Sequence, residues 1–202
     1  TKRFGGIWQS DEAEIAKIYN AEPGDYKIID RNRNNIIDDD DRDFVGQTTP
    51  QFFGSFSNTF KSHGFDLTIF LTYAGGHKIY NPFAYLDSYS PSANMSPDYY
   101  HNYWTPERPS NKYPRLGSTN SQLYETDGMY QKGDYIRLKN LELGYTLPRN
   151  IANKVYASNI RVYASVQNLV TFTKYTGFDV ETSNANPYPA CRVFMGGLTV
   201  NF

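Results

Sequence analysis

Residues 192–202 read RVFMGGLTVNF, with large apolar side chains recurring at even-numbered positions up to the last residue. Successive side chains of a β-strand point to opposite faces, so one face of this segment carries Phe194, Leu198, Val200 and Phe202. Soluble proteins rarely end on an exposed Phe, because chain termini are usually frayed and polar. We therefore expect an apolar environment to cover this face.

The same two-residue period recurs in four earlier segments. They are QFFGSFSNTF (51–60), FDLTIFLTY (65–73), YIRLKNLELGYTLP (135–148) and NIRVYASVQNL (159–169). Each has about ten residues with one apolar and one polar face, which is typical of transmembrane β-strands. A soluble antiparallel β-sandwich would show the same alternation, with its apolar face packed inward.

The connections between these segments favour the membrane alternative. A short turn, KSHG, follows the first segment, and the next three connections span roughly sixty, a dozen and twenty residues. Short and long connections therefore alternate, and antiparallel strands place all the long ones on one side, as in outer-membrane barrels. By this parity, residues 75–133, 170–190 and 1–48 are expected on the extracellular side.

The composition excludes several functional classes. A net charge of −1 provides no field that would attract nucleic acid, and a mean hydropathy of −0.63 excludes a helical membrane protein. We find no catalytic motif around His63, His77 or His101 and expect no enzyme. The first residues, TKRFGGIWQS, lack an initiator Met and a signal-peptide core, so we expect a piece of a longer protein.

Five blocks of the sequence resemble one family in content and order. They are PGDYKIIDRNRNNIIDDDDRDFVG (23–46), GFDLTIFLTYAGGHKIYN (64–81), DYIRLKNLELGYTLP (134–148), NIRVYASVQNLVTFTKYTGFD (159–179) and the terminal strand ending in Phe202. Together they resemble the end of SusC/RagA-type TonB-dependent transporters, which are outer-membrane proteins of Bacteroidetes.

This resemblance implies an all-β fold in which the chain supplies the last five antiparallel strands of a transmembrane β-barrel of about 22 strands, with long extracellular loops. Residues 1–48 would form an extracellular loop segment, and residues 49–202 the C-terminal strands, including the long loop 75–133. The protein would be a multi-pass barrel of the bacterial cell outer membrane. The apolar face of the terminal strand would meet lipid, where only a closed barrel pairs every backbone group.

The resemblance also implies a function and partners. The function is nutrient uptake, with oligosaccharides and peptides both open as cargo, together with a SusD-like surface lipoprotein. The remaining barrel and its plug would come from a separate or nicked chain, and TonB would be contacted through the missing N-terminal part. No nucleic acid is expected as a partner.

The densest polar motif, DRNRNNIIDDDDR at residues 30–42, has the spacing of a calcium-binding loop. Counted from its first residue, positions 1, 3, 5, 7, 9 and 12 are Asp30, Asn32, Asn34, the Ile36 carbonyl, Asp38 and Asp41. Asn35 occupies the position where such loops place Gly, and Asn tolerates a positive φ better than most residues. We expect one structural Ca²⁺ here, with a solvated acidic turn as the alternative.

Aromatic residues are dense in the long connection, notably at Tyr99, Tyr100, Tyr103 and Trp104. Such rings suit contact with a substrate or a partner protein, so we expect these four at the lipoprotein interface or the substrate cavity. Packing of the rings within the connection is the alternative for each of them. A second interpretation of the whole chain is a soluble, calcium-bound β-sandwich that binds glycan through this connection.

Overall fold

The computed structural model describes residues 1–81, 94–118, 126–182 and 188–202. The chain divides into two compact units, one of Thr1–Gln47 with Ile79–Gln131 and the other of Thr48–Lys78 with Lys132–Phe202. The strands and α-helices are β1 (Phe4–Ile7), α1 (Ala13–Ile18), β2 (Tyr26–Ile28), β3 (Phe52–Ser62), β4 (Phe65–Gly75), β5 (Lys78–Tyr80), α2 (Pro97–Asn102), β6 (Tyr130–Lys132), β7 (Tyr135–Thr146), α3 (Arg149–Ala152), β8 (Asn159–Thr173) and β9 (Val193–Asn201). Short 3-10 helices span Ser10–Glu12, Asp39–Asp41, Asp127–Met129 and Asn153–Val155.

The second unit contains a sheet of five strands in the order β3-β4-β7-β8-β9, with each neighbouring pair antiparallel. The turn from β3 to β4 is the dipeptide His63–Gly64, whose φ angles of 49° and 84° are both positive, as a type I′ hairpin requires. The other connections are residues 76–134, 147–158 and 174–192. The five predicted strands and the alternation of short and long connections are thereby confirmed.

A bulge in β7 keeps the apolar side chains of this strand on one face. Leu71 of β4 pairs with Leu138, and Phe70 pairs with Asn140, so Lys139 is the extra residue. Because a bulge inserts one residue, the apolar positions change from even to odd numbers at this point without changing face. The apolar face of β7 therefore continues from Ile136 and Leu138 to Leu141 and Leu143.

The first unit is built from residues that are distant in the sequence. The strands β1 and β2 form a small antiparallel sheet. A core of this unit is a cluster of buried apolar residues, namely Ile7, Tyr26, Trp104 and Met129. The described residues of the segment Ile79–Gln131, which was predicted as part of one long loop, thus pack with the first 47 residues.

Among the described residues, no helix has both the length and the apolar character needed to cross a membrane.

Candidate functional site

One face of the five-stranded sheet carries apolar side chains on every strand. Cross-strand pairing puts Ile69, Leu141, Val166 and Phe194 in one row across four of the strands. Side chains of this face are more than half exposed at Phe56 (53%), Leu143 (52%) and Phe172 (66%). A contiguous exposed apolar surface of this size marks a site of contact with lipid or protein.

The predicted lipid-facing residues lie at one edge of this face. Phe194 and Leu198 are on the edge strand β9 and are 74% and 63% exposed. Val200 pairs with Ile160 of β8 and is partly exposed. Phe202 is 88% exposed and follows Asn201, the last residue of β9. Contact of these four side chains with lipid stays a prediction.

The opposite face is polar and carries a charge cluster near the β3–β4 turn. Arg161 donates from Nε to Asp66 Oδ1 at 3.0 Å and from Nη2 to Glu142 Oε1 at 2.7 Å, which ties β8 to β4 and β7. Gly144 makes room for this guanidinium, because a Cβ at that position would lie 2.3 Å from Arg161 Nη2. The cluster therefore depends on three neighbouring strands and on one glycine.

A second charge cluster lies at the opposite end of the same sheet, where the long connections begin. Arg137 is buried, with its side chain only 5% exposed. It donates to Thr171 Oγ1 at 2.8 Å, to Asp179 Oδ1 at 2.7 Å and to Glu181. Lys139 Nζ lies 2.7 Å from the same Glu181 carboxylate. The cluster fastens the connection after β8 to the sheet.

Asp179 is the most enclosed carboxylate of this cluster, with its side chain 3% exposed. Burial raises the pKa of Asp179, but hydrogen bonds from Arg137 and from the backbone N–H groups of Glu181 and Ala190 lower it below its ordinary value. The carboxylate is therefore charged at neutral pH and is fully supplied with donors.

The residues of the predicted calcium loop hold the loop through their own hydrogen bonds. Asp30 accepts the N–H groups of Arg33 and Asn35 and the hydroxyl of Tyr19. Although burial opposes the effect, the donors Asn35, Tyr19 and Arg33 lower the pKa of Asp30 below its ordinary value. Asn35 has a φ of 66°, so it adopts the backbone conformation expected at that position of a calcium loop.

The other predicted ligands are engaged in the same way. Asn32 Oδ1 accepts the Asn34 N–H, and Asn34 Oδ1 accepts the Ile36 N–H. Asp41 is buried and accepts the N–H groups of Arg31 and Asp38, while Asp38 itself accepts the Asp40 N–H. Within the described ranges, no group of three or more His, Cys, Asp or Glu side chains is placed to hold a metal ion. The calcium ion stays a prediction that would draw on amide and backbone oxygens as well.

The four predicted contact aromatics divide into two kinds. Tyr99 is fully buried and donates to the Arg115 carbonyl oxygen at 3.2 Å, and Trp104, 6% exposed, donates from Nε1 to Gln9 Oε1 at 3.0 Å. These two rings pack the interior of the first unit, which is the alternative that the sequence left open. Tyr100 is 58% exposed and Tyr103 partly exposed, so contact with a partner or substrate stays a prediction for these two.

Arg137 and Arg161 form the centres of the two charge clusters, and the sequence did not single them out. For Arg161 the available signal was its position on the polar face of an alternating strand. Arg137 has the same odd numbering as Leu141 and Leu143, so only the bulge in β7 places it on the polar face. The strand order, which no local pattern encodes, brings Arg161 of β8 to Asp66 of β4, and the path of the connection after β8 brings Asp179 to Arg137.

Comparison with known proteins finds curated relatives that are all named TonB-dependent receptors. No family model matches the chain. TonB-dependent receptor P3 of Formosa agariphila is 33% identical over 98% of this chain and 21% of its own length. TonB-dependent receptor P39 of the same bacterium is 30% identical over 80% of this chain and 16% of its own. TonB-dependent receptor SusC of Bacteroides thetaiotaomicron is 27% identical over 91% of this chain and 18% of its own.

Solved structures of RagAB resemble the fold. The structure of the RagAB peptide transporter matches with a TM-score of 0.79 at 23% identity, over all of this chain and 22% of that one. RagAB in its closed-closed state matches with a TM-score of 0.78 at 24% identity, over 100% of this chain and 22% of that chain. The chain spans about a fifth of the length of the curated relatives that it matches. The expected fold class, antiparallel strands that belong to a larger barrel, is confirmed.

Proposed function

We propose that this segment of a SusC/RagA-type TonB-dependent receptor forms part of the wall of an outer-membrane nutrient importer. The observation that carries the proposal is the two-faced sheet, which is apolar across all five strands on one side and polar with paired charges on the other. In a transmembrane barrel wall the apolar face meets lipid and the polar face lines the interior. The sequence relatives are named TonB-dependent receptors, one of them SusC, and a solved structure of the same fold is named a peptide importer. These names support transport rather than catalysis.

The partners and cargo belong to the same proposal. Neither edge strand, β3 or β9, has a second neighbour among the described residues. Unpaired backbone groups are costly in lipid, so further strands must complete the barrel. A SusD-like lipoprotein and TonB are the partners that the family resemblance implies. The cargo is an oligosaccharide or a peptide, and the name of RagAB as a peptide importer supports the second.

Accessibility of adjacent residues on β4 tests the proposed orientation. Ile69 pairs with Leu141 on the apolar face, and Thr68 pairs with Glu142 on the polar face. Spin labels placed in the full-length receptor through Ile69→Cys and Thr68→Cys, with Cys191→Ser in both, should respond differently to two relaxation agents. We expect oxygen, which concentrates in lipid, to act more strongly at position 69, and a water-soluble nickel chelate to act more strongly at position 68.

The same experiment separates the membrane proposal from the soluble alternative. In a soluble sandwich the label at position 69 would be shielded from both agents. That result, together with a receptor that stays monomeric and folded without detergent, would overturn the barrel proposal.

A further inference from the structure

A groove lies on the apolar face of the sheet, at the end where the long connections begin. Its volume is about 490 Å³. Its apolar and aromatic lining comes from four strands, and the residues are Phe52, Tyr73, Ala74, Tyr135, Ile136 and Phe172. Phe52, Tyr73, Ile136 and Phe172 are between 40% and 66% exposed, so the groove is open to whatever surrounds this face.

The arrangement of the rings is fixed by glycines on neighbouring strands. Tyr73 lies across Gly54, where an added Cβ would be 2.6 Å from the Tyr73 hydroxyl oxygen. Phe52 lies across Gly75, where an added Cβ would be 2.4 Å from Phe52 Cζ. The two rings therefore lie flat along the sheet and leave a shallow apolar trough between them and Phe172.

Two lysines line the rim of the groove. Lys174 directly follows Thr173, the last residue of β8, and Lys132 lies three residues before the start of β7. Both are exposed. Across the described part of the chain, neither ammonium group has a hydrogen-bond or ion-pair partner. Asp134 also lines the groove, and its Oδ1 accepts the Gly76 N–H at 2.8 Å.

From this geometry we propose that the groove binds a phosphate-bearing membrane lipid. Its acyl chains lie along the apolar trough, and its phosphate is held by Lys132 and Lys174. The charge argues for an anionic headgroup, because two unpaired lysines outweigh one carboxylate that already accepts a backbone N–H. The position argues for a lipid, because the cationic rim borders an apolar surface rather than the polar face of the sheet.

This inference rests on the proposed function, since it requires the apolar face to meet lipid. Each lysine near an anionic lipid surface is expected to contribute about fivefold in affinity, or about 25-fold for the pair. Two exposed cationic side chains at the other end of the sheet provide a matched control for the two lysines. Arg149 and Lys154 are both exposed and lie in the connection between β7 and β8.

The test uses the full-length receptor in nanodiscs of neutral phosphatidylcholine, with monophosphoryl lipid A and its dephosphorylated form as probes. Binding is read by native mass spectrometry. We expect K132Q/K174Q to weaken binding of the phosphorylated probe about 25-fold and to leave the dephosphorylated probe unaffected. K132R/K174R should retain binding, and R149Q/K154Q should bind like the parent protein.

Three outcomes would overturn the inference. They are equal binding of the phosphorylated probe by K132Q/K174Q and the parent, an equal loss in R149Q/K154Q, and an equal loss for both probes. Heat-modifiable migration in electrophoresis reports separately whether each variant has formed a barrel. A parent receptor that forms no barrel in the membrane would contradict the proposed function itself, whereas a well-formed barrel with no lysine-dependent binding would contradict this inference alone.

Discussion

Replacing Arg137 with Met should release the connection after β8 from the sheet. Arg137 and Asp179 have side chains only 5% and 3% exposed, and their atoms Nη2 and Oδ1 are 2.7 Å apart. Removing one partner of a buried ion pair costs about 3–5 kcal/mol, because the other charge is left uncompensated. Since each 1.4 kcal/mol is about tenfold in an equilibrium constant, the open form, in which this connection has left the sheet, should become roughly 10²- to 4 × 10³-fold more populated.

Lys139 provides the matched control for this prediction. Its ammonium group contacts Glu181 in the same cluster, but its side chain is 37% exposed. Exposed ion pairs contribute about 0.2–1 kcal/mol, so Lys139→Met should change the open population by no more than about fivefold. The assay is hydrogen exchange of residues 174–182 in the full-length receptor, compared with β3, which carries neither substitution, as a reference that should not change. Equal and small effects of the two substitutions would refute the reasoning.

The pH dependence gives this prediction a second readout. The pKa of Asp179 is lowered in the folded protein, so its contribution to stability is present above the ordinary value of 3.8 and is lost only as the pH falls through the folded value. The parent protein should therefore show constant protection between pH 7.5 and 5. Without Arg137, the pKa of Asp179 should rise, because burial is then opposed only by the two backbone hydrogen bonds from Glu181 and Ala190. The defect should therefore be larger at pH 7.5 than at pH 5. An Arg137→Met defect that does not change with pH would contradict the proposed cause.

Two further predictions concern the first unit. Trp104→Ala should destabilise this unit by about 3–5 kcal/mol, because the substitution leaves a cavity in the core. Tyr100 is exposed, so Tyr100→Ala should change the stability by no more than about 0.5 kcal/mol. Limited proteolysis measures both effects, and equal sensitivity of the two variants would count against the burial argument. Calcium should protect residues 24–46 from hydrogen exchange in the parent protein but not in Asp38→Ala. Asp39→Ala is the control and should keep the protection, because the Asp39 side chain is 78% exposed. A parent protein that calcium does not protect would defeat the calcium proposal.

The sequence predicted the five-stranded sheet because its signal is local. Two-residue alternation and turn composition identify each strand without knowledge of its neighbours. The bulge at Lys139, in contrast, could not be predicted from the local sequence pattern. The sequence alone placed Leu141 and Leu143 on the apolar face, but it did not show that Ile136 and Leu138 share that face. Only the pairing of β7 with β4 shows that one inserted residue reconciles the two sets.

The first unit was not predicted because its contacts join distant parts of the chain. The hydrogen bond between Trp104 and Gln9 spans 95 residues, and that between Asp127 and Phe4 spans 123. An aromatic cluster in a long connection has the same composition whether its rings are buried or exposed. For this reason Tyr99 and Tyr100, which are adjacent in sequence, could be separated only by the structure, which buries one and exposes the other.

The charge clusters bear on how this part of the wall would select cargo. Arg161 is paired with two carboxylates, and Arg137 with Lys139 balances Asp179 and Glu181, so the charges in these clusters largely cancel. Paired charges hold strands and connections in place but project little field into the interior. The whole chain has a net charge of −1, in keeping with this balance. In the proposed importer, we therefore expect cargo recognition along this section to depend on hydrogen bonds and aromatic contact rather than on attraction of a charged solute, which would suit neutral oligosaccharides and mixed peptides alike.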